Sequence, residues 1–252
     1  MISVDTIYQR VLAAANKEQR GYVTPQEFNL FANQAQMDIF DQYFYDVDKF
    51  SRVHGNETEA GDMLDLLNEK IDIFEEKGVA VVNGTILPQP PAVTHEMYIL
   101  GNIIYTNTST GISYEAERVS EKEYMQMINS PLTQPRVERP IYVRDGNSGP
   151  PFNSNTVRVY IHNPASGITF QTNGGVTCNY TRKPVQVNWN YVVVQGYAQY
   201  DNTTSVNFEL HLSEENNLVH KILELAGIVM KDANLYQIAS QEEIKDIQQE
   251  KS

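Results

Sequence analysis

Apolar residues recur at helical spacing near both ends of the chain and at strand-like spacing between them. Val4, Ile7, Val11 and Leu12 predict a first helix, ended by Gly21. Thr24-Pro25-Gln26-Glu27 predicts the start of a second: threonine as N-cap, proline in the first helical position, and Glu27 reaching back to the cap amide. Phe28, Phe31, Ala35 and Ile39 then form one stripe, and Phe40, Phe44 and Val47 extend another. A third helix is expected from about Glu59 to Lys77, with Met63, Leu64, Leu67, Ile71 and Phe74 inward and Gly78 ending it.

From about residue 79 to 208 the pattern is β with long loops. Strands rich in Val, Ile and Tyr are expected at 97–105, 140–144, 156–162, 176–181 and 191–197, with a short run at Val79–Val82. Prolines at 88, 90, 91, 131, 135 and 140 and Gly149-Pro150-Pro151 punctuate them. One helical insert is predicted by the capping box Ser120-Glu121-Lys122-Glu123, leading into Tyr124, Met127 and Ile128. After about 209 helical spacing returns, with Ser213 as the cap, Glu214 and Glu215 in the first turn, and Leu218, Val219, Ile222, Leu225 and Val229 inward. The expected class is α+β: a helical bundle of N- and C-terminal segments (1–78 and 209–252) with an inserted β-rich domain (79–208).

Charge sharpens this division. The net charge is −13. Residues 1–80 hold 15 acidic and 7 basic side chains, 201–252 hold 10 and 4, and the 120 residues between hold 7 and 8. Binding phosphates wants clustered Lys and Arg, so a nucleic-acid grip is not expected. An acidic surface past which DNA slides remains compatible. No apolar run reaches the roughly 20 residues of a membrane span, and Met1–Asp5 lacks the order of a signal peptide. A soluble, non-secreted protein is expected, and the five Asn-x-Ser/Thr triplets are read as β composition, not glycan sites.

Chemistry is sparse. Cys178 is the only cysteine, expected buried and inert. None of His54, His95, His162, His211 and His220 stands four residues from another, and no zinc, P-loop or nucleophile-elbow pattern occurs. Asp38 with Asp41, and Asp62 with Asp65, read as solvated helix faces. No catalytic group, cofactor or metal is therefore expected. A polysaccharide-degrading enzyme using Glu115, Glu117 or Asp145 is the remote alternative.

Interaction surface is plentiful. Tyrosine contributes 15 residues. Phe40, Tyr43, Phe44 and Tyr45 point around most of a helix circumference, making them a candidate contact between subunits. In the final segment Leu235, Ile238, Ile244 and Ile247 are too sparse for a lone helix, and that segment is expected to fray or to order on a partner.

The runs Met1 to Tyr8, Ala15 to Pro25 and Phe28 to Gln36 resemble structural proteins of crAss-like tailed bacteriophages. Asn179-Tyr180-Thr181-Arg182-Lys183-Pro184 with Trp189 resembles a segment of their neck proteins, and Phe208-Glu209-Leu210 leading into His220–Ala226 resembles the junction before their C-terminal helices. The resemblance covers about residues 1–50 and 178–250 and is poor between. It implies a head-to-tail connector: a virion neck protein, assembled in the host cytoplasm and joined to the portal and to further neck or tail proteins. Such adaptors form rings, typically of twelve copies, that prolong the DNA channel without binding DNA specifically or touching a membrane. Their C-terminal helices often dock on the portal, a role carried here to Leu235, Ile238, Ile244 and Ile247. A tail-tube or tail-hub component is the alternative.

Overall fold

The computed structural model describes residues 1–17, 23–51, 58–82, 85–86, 96–107, 110–145, 156–163, 167–170 and 175–229, with Gln241 and Lys245. The class is α+β. The chain forms two compact units, one from Met1–Ile73 with Pro184–Ser252, the other from Phe74–Lys183.

In the first unit, α1 (Val4–Lys17), α2 (Pro25–Ser51), α3 (Thr58–Asp72) and α5 (Glu215–Val229) pack together, α2 against both α3 and α5 and α1 against α5. Val4, Ile7, Tyr8 and Val11 of α1, Phe28, Ala32, Ile39 and Phe40 of α2, and Leu218 and Ile222 of α5 are buried. Each such large side chain contributes about 2 kcal/mol relative to exposure. The start of α2 is the predicted capping box: Thr24 N–H donates to Glu27 Oε2 at 3.0 Å, and Glu27 N–H donates to Thr24 Oγ1 at 3.3 Å. The cap near α5 differs from expectation. Leu212–Glu214 winds into a 3-10 turn, so His211 takes the capping position from Ser213.

The second unit holds β1 (Glu75–Val82), β2 (Thr85–Ile86), β3 (Met97–Thr106), β4 (Ser113–Glu115), β5 (Glu117–Arg118), α4 (Glu121–Ile128), β6 (Ile141–Asp145), β7 (Thr156–Asn163), β8 (Gly167–Phe170) and β9 (Val176–Arg182). Its strands run in the order β4-β3-β9-β1-β2-β7-β6-β5, with β8 on β7. Strand alternation sorts the side chains. Tyr142 and Val159 join Val79, Ile103, Val176 and Cys178 in the main core, while Ile141, Val143 and Tyr160 face α4. Tyr124 of α4 stacks on Tyr160 at 4.2 Å. The Ser120–Glu123 capping box forms as predicted.

The third helix stops at Asp72, not Lys77. Glu75 and Glu76 pair with Thr181 and Tyr180 instead, so sheet pairing overrides the local helix preference. Gly78 therefore ends no helix. It sits at φ +70° where β1 shifts register against β9, and its N–H donates to Asn179 Oδ1. The compact units accordingly divide at 73/74 and 183/184, not at 78/79 and 208/209. Residues 184–208 belong to the first unit: side chains of α2 hold the backbone at Val185, Val187 and Trp189, and Phe208 pairs with Ile2.

Candidate interaction surfaces

The aromatic run of α2 is divided by helix geometry. Successive residues turn by about 100°, so Phe40 and Tyr43 point into the chain's own core, Phe44 is half-buried and packs edge-on against Phe40, and Tyr45 is 66% exposed. Phe40 and Tyr43 are thus taken up by internal packing. Of the four residues, Tyr45 and part of Phe44 remain at the surface. Leu235, Ile238, Ile244 and Ile247 lie outside the described residues.

One face of α2 that reads as polar surface instead grips another segment. Asn29, Asn33 and Gln36 lie along one side of the helix, opposite the extended backbone of Val185, Val187 and Trp189. Asn33 Oδ1 accepts from Val187 N–H at 2.8 Å, and Asn33 Nδ2 donates to Val187 C=O at 2.9 Å. Asn29 does the same for Trp189, at 2.8 and 3.2 Å. Gln36 Nε2 donates to Val185 C=O at 2.8 Å, while Val185 N–H goes to the buried Glu209 carboxylate. One helical turn rises 5.4 Å and two extended residues about 6.8 Å, close enough for amides at i, i+4 and i+7 to serve alternate residues. The indole of Trp189 lies within 4.4 Å of the Tyr8 ring and donates to Asp5 Oδ1 at 3.0 Å.

This anchored segment leads directly into a hairpin, β10 (Tyr191–Val194) with β11 (Tyr197–Tyr200). Val194 pairs with Tyr197 across two residues, Gln195 at φ 53° and Gly196 at φ 85°, which is type I′ turn geometry. At its base Tyr191 and Tyr200 stack on Trp189 at 5.7 and 5.8 Å. Asp201 closes the base. It accepts from Thr203 and Thr204, and these bonds, Thr203's hydroxyl foremost, hold its carboxyl below the usual carboxylate range.

Beyond the base the hairpin is apolar and uncovered. Val192, Val194 and Tyr197 share one face and are 55%, 46% and 80% exposed, while Val193 on the other face is 64% exposed. Among the described residues β10 and β11 pair only with each other, leaving both outer edges open. The single strand expected at 191–197 is instead two, because Gln195 and Gly196 turn the chain back and β11 runs on to Tyr200.

Residues 179–183 have structural duties in the second unit. Tyr180 Oη donates to Glu76 Oε2 at 2.7 Å, and Arg182 Nε lies 3.5 Å from Glu76 Oε1 with its guanidinium over the Phe74 ring. Burial, with Glu76 adding to it, pushes the Tyr180 phenol above its ordinary value. Lys183 Nζ pairs with Glu96 at 2.9 Å. Cys178 is fully buried, and burial foremost pushes its thiol up to about 12.

Glu115 and Glu117 line a shallow cleft of about 420 Å³ with Asn102, Arg118 and Tyr142. The Glu117 carboxylate is engaged by Arg139 at 2.7 Å. Only the backbone of Asp145 is described. Among the described residues, no three His, Cys, Asp or Glu side chains are grouped to hold a metal ion, and no helix is long and apolar enough to cross a membrane. Set against known proteins, the chain matches no family model and no curated protein.

Proposed function

We propose that the chain is a structural protein of a tailed-phage virion, a ring-forming connector subunit that joins the portal to the tail and lines the DNA channel. The observation that carries this reading is the hairpin Tyr191–Tyr200, a rigidly based apolar element that the described chain leaves uncovered. Apolar surface of this kind marks a contact with another macromolecule. The resemblance of residues 1–50 and 178–250 to neck proteins supports the same reading, and the hairpin lies inside the second of those stretches. A closed ring needs two different patches per subunit, one meeting the other on the next copy. The hairpin and the Tyr45 side of α2 are candidates for them.

The acidic ends fit a channel wall, since fixed negative charge repels DNA phosphates and prevents adhesion. On this reading the protein sits in the virion neck after assembly in the host cytoplasm, has no catalytic role and needs no cofactor. Native mass spectrometry and negative-stain imaging of the purified chain, alone and with its portal protein, test it. The expected result is a ring of about twelve copies with an axial hole, stacked on the portal when both are present. A chain that stays monomeric in both samples would end the reading.

A further inference from the structure

We infer that the hairpin Tyr191–Tyr200 is the contact with a second copy of this same chain. The inference rests on the connector reading above and deepens it by assigning one side of the subunit contact.

Geometry makes the hairpin a docking element. A two-stranded hairpin is marginally stable in water on its own, and among the described residues this one is held at its base, through Trp189 and Asp201. Among the described residues no strand pairs with its outer edges, which makes them a ready template for another strand. Val192, Val194 and Tyr197 give the apolar face that such pairing would bury.

Charge selects the occupant. The 16 residues from Val185 to Tyr200 contain no Asp, Glu, Lys, Arg or His. Nucleic acid or an anionic membrane would be met by Lys and Arg, and a basic partner by Asp and Glu; the hairpin offers neither. Two copies of a chain carrying −13 repel each other, so they approach most readily through neutral surface. The hairpin is such a surface, and it lies within residues 81–200, where 7 acidic and 8 basic side chains nearly cancel.

A contact of this kind has a salt signature. Screening weakens the repulsion between copies while leaving apolar burial intact, so self-association tightens with added salt. A contact held by opposite charges would loosen.

The test uses the full chain. Sedimentation velocity of the wild type is expected to show association that tightens several-fold between about 0.05 and 0.5 M NaCl. Val192→Glu is expected to raise the apparent dissociation constant at least tenfold with circular dichroism and melting unchanged, because Val192 lies outside the core. Independently, p-benzoylphenylalanine in place of Tyr197 is expected to photo-crosslink the purified chain into covalent dimers. This second probe keeps the question open to refutation should Val192→Glu misfold. Wild-type-like association of Val192→Glu, association that loosens with salt, or oligomers without a crosslink at 197 would each overturn the inference while leaving the connector reading intact. Crosslinking at 197 to another virion protein only would do the same. Failure of the wild type to assemble even with its portal protein would overturn both.

Discussion

Asn33 and Val187 exchange two hydrogen bonds, side-chain amide to backbone amide, across 154 residues of sequence. The carboxamide imitates a strand partner, presenting one acceptor and one donor to the same residue. With Asn29 and Gln36 it lets a helix hold an extended chain as a sheet edge would. This grip fixes Trp189 and thereby the base of the hairpin.

Replacing Asn33 with alanine leaves the Val187 N–H and C=O without these partners, a cost of about 2 kcal/mol. Native-state hydrogen exchange at the Val187 amide is expected to accelerate roughly thirtyfold, the ratio for that free energy. Unchanged exchange would show that the segment is held by packing alone.

Lys70 and Glu214 form a 2.6 Å ion pair, with side chains only 15% and 2% exposed. Lys70→Met strands a buried carboxylate beside Asn217, its other partner, and is expected to cost about 3 kcal/mol. Adding Glu214→Leu should restore most of that loss. Chemical denaturation of both variants checks it, and additive losses would refute the coupling.

Phe40→Ser removes a fully buried ring and is expected to cost at least about 3 kcal/mol. Tyr45→Ser, five residues on and exposed, should leave the melting temperature unchanged and weaken assembly. Calorimetry paired with sedimentation separates the two effects, and a large fall in melting temperature for Tyr45→Ser would show that its ring is core.

Cys178 should resist a thiol reagent at pH 8 in the native protein and react at once in denaturant. Its folded value, about 12, lies above the ordinary one. The neutral thiol thus favours the fold fully below the ordinary value, and this contribution is lost as pH rises from there towards 12. Rapid native labelling at pH 8 would contradict the burial.

Glu27 and Glu123 are held below the usual carboxylate range by backbone bonds from Thr24 and Ser120, with the hydroxyls adding to them. Lowered values stabilise the fold above the unfolded value, and that stabilisation is lost as pH falls through the folded one. Acid titration followed by circular dichroism is expected to show less acid sensitivity in Glu27→Gln and Glu123→Gln than in the wild type. Identical titrations would show that the boxes add nothing.

Local chemistry was legible in the sequence wherever it acted alone. The capping boxes at Thr24 and Ser120 and the strand runs at 97–105 and 176–181 need only neighbouring residues, and all four appear in the fold. What depended on distant partners was not. The helical pattern running through Phe74 concealed a change to strand, because the pairing of Glu76 with Tyr180 lies 104 residues away. Asn29, Asn33 and Gln36 look like a solvated face until residues 185–189 are laid along them. Phe40, Tyr43, Phe44 and Tyr45 were legible as a cluster, but which of them faced inward was set by the packing of α2 on α3 and α5.

The β unit begins and ends on adjacent rungs: Arg182 N–H donates to Phe74 C=O at 2.9 Å, beside the pairing of Glu75 with Thr181. The chain leaves and re-enters at one doorway, so residues 75–181 form a cassette. Lengthening, trimming or exchanging it would leave the spacing of its two flanks untouched. A short linker from Ile73 to Lys183 would be the natural way to remove the cassette.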